Sequence, residues 1–159
     1  MYAVASLLPV CALGLVLGRG YAQAGLEQAR QQGLAQAAVI EQMALAPAMT
    51  GTKITTGLTS PERDRIQAAT DLAIFSGSVT HLRLRSFDGR VAFSDDGKIA
   101  GVLPVADPAF QSAVKGRASA GVVSVNGAPT IRVLQPVIAS ANGQSIGVLE
   151  VYQIGRAHV

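Results

Sequence analysis

A chain of 159 residues is long enough for one domain with its own core and a short appendage. Its net charge of +3 is scattered, with no Lys/Arg run and no stacking aromatics beside one, which argues against a nucleic-acid partner. Aromatic residues make up 4% of the chain although 49% is hydrophobic, and the mean hydropathy of +0.35 indicates a membrane segment rather than a large core.

The first predicted element is a transmembrane anchor at residues 1–20. The segment at residues 2–18 carries no charge, and as a helix it would span about 26 Å against a hydrocarbon core of roughly 30 Å. A cleaved signal peptide is the alternative, supported by the Ala-Gln-Ala motif at residues 22–24, but a basic n-region is missing. We favour the anchor because helix-forming sequence continues without a break. Cys11 lies within this segment, without a disulfide partner or metal-ligand spacing.

A helical stalk and a loop are predicted over residues 21–58. The part before Pro47 is rich in Ala, Gln, Leu and Glu, which have a strong intrinsic preference for helix. Such a helix either packs on its own domain or pairs with a second copy of the chain in a homodimer, and the sequence leaves both open. The positions that give it one apolar face are Leu26, Ala29, Gly33, Leu34, Ala37, Ile40 and Met43.

From residue 59 to residue 153 the sequence predicts one α+β domain, a PAS-like five-stranded antiparallel sheet with flanking helices. Ser60 is the expected N-cap of the next helix, since Pro61 suits the first helical position and Glu62 complements the helix dipole. Gly77 is the expected stop. The stripe expected to be buried comprises Ile66, Ala69, Leu72, Ala73 and Phe75.

Short strands separated by turn residues follow. Leu82 and Leu84 alternate with polar neighbours, which indicates a strand with one face in the core. The dipeptides at residues 88–89 and 126–127, Asp-Gly and Asn-Gly, predict hairpin turns. Asp107 is the expected cap of a short helix, with Phe110 and Val114 buried and Gly116 as the stop. The expected strands are residues 79–85, 90–93, 118–125, 128–138 and 145–152.

Arg83 and Arg132 are the candidate ligand-binding residues. They lie on alternating strands, and two guanidinium groups that face one pocket could bind a carboxylate in bidentate fashion. Tyr152 is expected on the same face. The competing interpretation is that both arginines are solvated on an open face, which is the more common situation for arginine.

The other polar residues predict neither catalysis nor metal binding. His81 has no second His or Cys nearby, so we expect it at an exposed strand position. Asp95 and Asp96 are typical turn residues, and no His is placed to serve Ser94 as a base. We therefore expect no enzyme, no cofactor and no metal in these residues.

Three segments together resemble the PAS-like Cache sensor domains of bacterial membrane signalling proteins. They are H-L-R-L-R-S-F-D-G-R-V-A-F-S-D-D-G at residues 81–97, D-P-A-F-Q-S-A-V-K-G at 107–116 and G-V-L-E-V-Y at 147–152. The likeness covers about residues 22–152. It implies that a second membrane helix follows soon afterwards, and that a diguanylate cyclase (GGDEF), a cyclic-di-GMP phosphodiesterase (EAL) or a histidine kinase module lies beyond it.

The last six residues, 154–159, match what a widely used short-read sequencing adapter encodes in one frame. In that frame the preceding codon permits only Gln, Lys or Glu, and residue 153 is Gln. We therefore expect the natural reading frame to break at about Gln153. Residues 154–159 are treated as an artefactual tail.

The resemblance implies an extracytoplasmic sensory region of a membrane-bound signalling protein, anchored in the bacterial inner membrane with its sensor domain in the periplasm. Such a region binds a small molecule or transmits the geometry of a homodimer paired through the stalk. The alternative is a secreted or periplasmic binding module released by signal cleavage, with its mature N-terminus at Gly25. A hydrolase would need a nucleophile with a base, and the sequence offers neither.

Overall fold

The computed structural model describes residues 23–49, 54, 57–75, 77, 79–99, 101–138 and 143–154. The anchor predicted at residues 1–20 lies outside the described residues, as do most of the loop between residues 50 and 56 and the tail after Ile154. Within the described ranges no helix is long and apolar enough to cross a membrane.

The described residues form three helices that flank a sheet. Helix α1 is α-helical over residues 23–40, passes through a π-helical turn at Glu41–Leu45 and closes with Ala46–Ala48. Helix α2 spans Ser60–Phe75, and helix α3 spans Pro108–Val114. Both α2 and α3 carry a proline in their first turn, where a missing amide removes no intrahelical hydrogen bond.

The five strands form one antiparallel sheet in the order β2-β1-β5-β4-β3. The first strand in sequence, β1, therefore pairs with the last, β5. The β1–β2 hairpin lies on one side of β5 and the β3–β4 hairpin lies on the other. This architecture confirms the predicted α+β fold with five antiparallel strands. The strands are His81–Arg85 (β1), Val91–Ser94 (β2), Ser119–Val125 (β3), Ala128–Ile138 (β4) and Ser145–Ile154 (β5).

The two faces of the sheet differ in character because successive strand residues point to opposite sides. One face is apolar and packs with residues of α1 and α2 in the larger core, for example Leu84, Val133 and Val151. The other, which we call the α3 face, packs against Phe110 of α3. By strand register the α3 face comprises His81, Arg83, Arg85, Arg132, Leu134, Val148, Glu150 and Tyr152.

Helix α1 packs on the sheet through one face. Near the two ends of the helix, the residues of this face differ from those of the predicted apolar face. Ala37, Glu41 and Leu45 are buried at intervals of four residues, because the wider π-helical turn keeps this spacing on one side of the helix. Met43 and Leu26, which the 3.6-residue spacing placed on the apolar face, are 77% and 42% exposed. These two residues therefore do not pack on the sheet, and pairing of the helix with a second copy of the chain stays a prediction.

Side-chain contacts fix α1 to the two longest strands. The Glu41 carboxylate accepts a hydrogen bond from the amide of Ile138 (3.0 Å) at the end of β4, and the Gln153 amide donates to the side chain of Gln36 (2.9 Å). At Gly33 an added methyl group would lie 3.1 Å from the side chain of Val133. The small residue allows the helix to approach the sheet closely.

Helix α2 differs from the prediction in its N-cap residue and in one residue of its buried stripe. The N-cap is Thr59 rather than Ser60, since Glu62 accepts hydrogen bonds from the amide (2.8 Å) and the hydroxyl (2.7 Å) of Thr59. Leu72 is 70% exposed, because Ile66 and Thr70 face the core and residue 72 lies about 200° around the helix from residue 70.

The other turns and caps agree with their sequence signals. Asn126 and Gly127 both have positive φ (51° and 80°) and join β3 to β4, the geometry of a two-residue hairpin turn. Asp107 accepts a hydrogen bond from the amide of Ala109 (2.9 Å) and caps α3. Gly116, with φ 81°, ends that helix.

Replacement of Gly147 by alanine should destabilise the fold. A methyl group at this position would lie 2.7 Å from the carbonyl oxygen of Arg85 and would overlap the side chain of Ile54, so we expect a loss of about 1–3 kcal/mol in the free energy of unfolding. Urea denaturation measures the loss. The matched control is Gly121→Ala in β3, where an added methyl meets no atom within 4 Å; equal losses in both variants would contradict the packing at Gly147.

Candidate functional site

A buried ion pair occupies the centre of the α3 face. The side chains of Arg85 and Glu150 are 3% and 2% exposed, and Arg85 Nη1 lies 3.5 Å from Glu150 Oε2. Arg85 Nη2 donates to the carbonyl oxygen of Pro104 (3.0 Å), and the guanidinium lies 4.1 Å from the ring centre of Phe110. The loop before α3 and α3 itself therefore close over this charge.

Strand pairing explains how these residues meet. His81, Arg83 and Arg85 alternate along β1, so all three project onto the α3 face. On the neighbouring strand β5, Glu150 lies directly opposite Arg83, and Tyr152 lies opposite His81. The site is thus built on the two central strands of the sheet, which are more rigid supports than loops.

Glu150 is shared by several donors. The phenol of Tyr152 donates to Glu150 Oε1 (2.8 Å), and Arg132 Nη1 lies 3.7 Å from the same oxygen. Arg85 approaches the other carboxylate oxygen. A buried carboxylate is costly unless it is paired and hydrogen-bonded, and here its partners come from β1, β4 and β5.

Asp107 links α3 to the sheet. One of its carboxylate oxygens accepts from the Ala109 amide (2.9 Å) at the start of α3, and the other accepts from Arg132 Nη2. Burial would raise the pKa of Asp107, but the hydrogen bonds from Ala109 and Arg132 outweigh it and hold the pKa below its usual value. The carboxylate therefore stays ionised at neutral pH and ties the helix to β4.

The neighbouring Glu150 compensates only part of the cost of burying the Arg85 charge. Burial lowers the pKa of its guanidinium, and the attraction of Glu150 offsets that only in part. Its Nε is buried and has no hydrogen-bond partner among the described residues. A buried donor left without an acceptor costs free energy, so Arg85 is held on the α3 face at some expense of stability.

Tyr152 lies between the buried pair and the partly exposed side chains of Arg83 and His81. Burial and the neighbouring Glu150 charge raise its pKa to about 12, so the phenol is protonated at neutral pH and acts as a donor. The Arg83 guanidinium lies 5.9 Å from the centre of the Tyr152 ring, and the His81 ring centre lies 5.5 Å from it.

The three residues predicted to bind a ligand lie together on the α3 face. Arg132 is directly opposite Tyr152 across β4 and β5, and Arg83 stacks beside the same tyrosine. Their role in binding stays a prediction. Sequence reasoning missed Arg85 and Glu150, although each had a signal: Arg85 is in phase with Arg83, and Glu150 is a lone charge inside an apolar strand.

The expectation for His81 was wrong. Its side chain is 19% exposed rather than open to solvent, and its Nδ1 contacts a carboxylate oxygen of Asp95. His81, Asp95 and Asp96 offer ligand atoms within 4.8 Å of one another, a proximity that the sequence argument did not foresee. Hydrogen bonds already engage both acids, since Asp95 accepts from the Leu82 amide of β1 (3.0 Å) and Asp96 accepts from the Ser94 hydroxyl within its own turn (2.6 Å).

Comparison with solved structures places this fold among sensor domains. The E. coli DcuS sensor domain superposes with a TM-score of 0.56 at 14% identity, over 79% of this chain and 91% of that structure. The sensor domain of the V. cholerae histidine kinase DctB gives 0.51 at 14% identity, over 84% of this chain and 55% of that structure. The ligand-binding domain of the Campylobacter jejuni chemoreceptor Tlp3, in complex with 4-methylisoleucine, gives 0.55 at 16% identity, over 83% and 54%.

These similarities confirm the predicted PAS-like Cache sensor fold. All three structures are sensor or ligand-binding domains rather than catalytic domains, which agrees with the expectation that this chain is not an enzyme. The chain spans about half the length of the DctB and Tlp3 structures. No protein-family model matches the sequence, and a comparison with curated proteins finds no match.

Removal of the Glu150 charge should destabilise the protein strongly. Glu150→Gln keeps the shape but leaves the Arg85 guanidinium buried without a counter-charge, so we expect a loss of roughly 3 kcal/mol in the free energy of unfolding. Combined with Arg85→Met, the loss should be smaller than the sum of the two single losses. Urea denaturation of all four proteins measures this coupling; strictly additive losses would contradict the buried pair.

The contribution of Asp107 should depend on pH. Asp107→Asn keeps a side chain that caps helices but removes the charge that faces Arg132, so we expect a loss of about 1–2 kcal/mol at neutral pH. Because the folded pKa lies below the unfolded value of about 3.9, this stabilisation is present above that pH and is lost as the pH falls through the folded pKa.

Urea denaturation at several pH values from neutral to acidic compares wild type with Asp107→Asn. The difference between them should shrink in acid. Asp64→Asn, on the exposed side of α2, is the control and should change stability little at any pH. A difference for Asp107→Asn that stays constant on acidification would show that its carboxylate charge is not what stabilises α3.

Proposed function

We propose that this chain is the extracytoplasmic sensor region of a membrane-bound signalling protein and that it binds a small solute on the α3 face. The observation that carries the proposal is the concentration of Arg83, Arg85, Arg132, Glu150 and Tyr152 on one face of the sheet. The opposite face is apolar and is packed with the two long helices. The α3 face is packed with a helix of seven residues.

The energetics support a functional role for these charges. Replacing a buried ion pair by apolar residues of similar volume is often neutral or stabilising, so stability alone gives little reason for Arg85 and Glu150 in the centre of a sheet. Titratable groups with strongly shifted pKa values are concentrated at functional sites, and Tyr152 is such a group. The inference is that the α3 face is kept polar for a ligand.

The solved neighbours support a small solute as the ligand. The C. jejuni Tlp3 domain has been solved in complex with 4-methylisoleucine, with isoleucine and with L-valine. These ligands are small and charged, and a face with guanidinium, carboxylate and phenol groups suits such molecules. We propose that the ligand of this chain is similar to those ligands in size and polarity, and we do not propose that it is one of them.

Signalling requires that the ligand favour one arrangement of the chain over another, because only a difference in affinity between two states can shift their populations. Helix α1 is suited to report such a shift, since Glu41 and Gln36 join it to the ends of β4 and β5. We propose that α1 continues toward the anchor in the inner membrane and pairs with its copy in a homodimer, so that the sensor lies in the periplasm.

We also propose that the whole protein carries a cyclic-di-GMP turnover module beyond this domain. This part rests on the resemblance of the sequence alone. Translation of the intact gene past the codon for Gln153 tests it: a second apolar span of about 20 residues followed by a GGDEF or EAL motif would support the module. A stop codon soon after Tyr152, with no second apolar span before it, would rule it out.

A solute screen on the full chain purified in detergent tests the binding proposal. The thermal midpoint is measured with a panel of amino acids, carboxylates, amines, sugars and nucleosides, and a ligand at 100 times its dissociation constant should add about 2.7 kcal/mol of stability. Arg132→Gln should abolish the shift, whereas Arg65→Gln on the exposed side of α2 should retain it. If no solute in the panel raises the midpoint of the wild-type chain, the small-solute function is wrong.

A further inference from the structure

We infer that the turn between β3 and β4 lies in the lipid headgroup layer, beside the point where α1 meets the membrane. We call residues 124–129 the β3–β4 tip. The inference rests on the membrane-anchored sensor of the proposed function and adds a lipid-contacting surface to it. Three observations lead to it: the tip is exposed and uncharged, it ends an unprotected edge strand, and it lies at the same end of the domain as the start of α1.

The β3–β4 tip is an exposed turn without charge. Residues 118–131 contain no Asp, Glu, Lys or Arg, and every residue of the tip is exposed. Val122 and Val125 are 45% and 39% exposed. The turn between β1 and β2, in contrast, presents an exposed ion pair of Asp88 and Arg90. Exposed apolar side chains without a charge among them suit a surface that is less polar than bulk water.

The strand that leads into the tip is an unprotected edge. Strand β3 is the last in the order of the sheet, and it pairs with β4 over its whole length without a register shift. Proteins usually protect such an edge with charges, proline or a bulge, because its free backbone groups can pair with another chain. Strand β3 has none of these devices. Contact of its end with a membrane would restrict access to this edge.

Helix α1 shows at which level of the domain the tip lies. A methyl group added at Gly33 would lie 3.1 Å from the side chain of Val133 on β4, and Glu41 contacts Ile138 at the end of that strand, so the helix runs in the same direction as β4. From Gly33 back to residue 23 the helix extends about 15 Å. From Val133 back to the tip the strand extends about 20 Å. The start of α1 and the β3–β4 tip therefore lie at a similar level.

The proposed anchor places this level at the membrane surface. The anchor at residues 1–20 ends three residues before residue 23, which in a helix is a rise of about 4.5 Å. The headgroup layer extends roughly 5–7 Å beyond the hydrocarbon core on each side. The tip would thus lie in this layer, where Val125 can reach the acyl boundary while the backbone of Asn126 and Gly127 stays hydrated.

A second copy of the chain is the other partner that would cover β3. Strands pair antiparallel more often than parallel, and antiparallel pairing of two β3 strands would reverse one copy relative to the other. The two α1 helices, each of which runs along its own β4, would then point in opposite directions. They could not enter one membrane from the same side. The anchored arrangement therefore favours lipid as the partner of the tip.

The absence of tryptophan from the chain allows a direct test, because one introduced tryptophan reports only its own position. Val125→Trp and Ala128→Trp place it on the tip. Phe87→Trp is the matched control: Phe87 is 37% exposed and lies in the turn after Arg85, at the opposite end of the sheet. The full chain is reconstituted in vesicles of phosphatidylcholine and phosphatidylglycerol, with or without bromine on the acyl chains, and tryptophan emission is recorded.

We expect brominated lipid to lower the emission of both tip variants roughly two-fold, because the tip reaches the boundary between headgroups and acyl chains. The emission of Phe87→Trp should not change. Acrylamide, a quencher dissolved in the water, should act more strongly on Phe87→Trp than on the tip variants. Both tip positions are exposed, so the larger side chain fits without repacking the core, and two positions guard against the failure of one variant to fold.

The contrary results are distinct. If acrylamide quenches the tip variants as strongly as Phe87→Trp and brominated lipid does not quench them, the tip lies in water and the inference is wrong. If neither quencher reaches the tip, protein covers it, and lipid is again the wrong partner. Both results leave the proposed function standing when the wild-type chain stays in the vesicles at alkaline pH. Release of the chain at alkaline pH would overturn the anchored sensor and this inference together.

Discussion

The buried carboxylate of Glu150 determines how the polar half of this domain is arranged. A charge with 2% of its side chain exposed must be met by donors, and among the described residues these come from β1, from β4 and from Tyr152 on its own strand. Arg85, Arg132 and Tyr152 are held in place by this requirement. Arg132 in turn fixes Asp107, and Asp107 fixes the start of α3, so this charge and the packing of Phe110 together position the covering helix.

The two faces of the sheet differ in how much apolar packing holds them. The apolar face buries Leu84, Val133 and Val151 with residues of α1 and α2, and such burial contributes roughly 25 cal/mol per Å². The α3 face has a smaller apolar cluster around Phe110, and a short helix and a loop cover it. A face held by few apolar contacts opens at lower cost, so the solute that we propose would enter on this side.

How much of the structure could be predicted from the sequence depends on whether residues close together in the chain determine each feature. Asn126 and Gly127 specify their hairpin by themselves, and alternation along β1 placed His81, Arg83 and Arg85 on one face. The pairing of Arg85 with Glu150 joins residues 65 positions apart and depends on β1 lying beside β5, which no local pattern encodes. The side of α1 that packs on the sheet was not predicted for a similar reason, since its π-helical turn carries a contact of Glu41 with Ile138, 97 positions away.

The same π-helical turn connects the two faces. Glu41 holds the amide of Ile138, at the end of the strand that carries Arg132 on its other side. A rigid strand transmits a displacement along its length better than a loop does, so a ligand that shifts Arg132 or its neighbours would move the end of β4 against α1. A wide turn inside a helix can be gained or lost with a change of one residue in register. The point where α1 contacts the sheet is therefore also the point where that helix can change most easily.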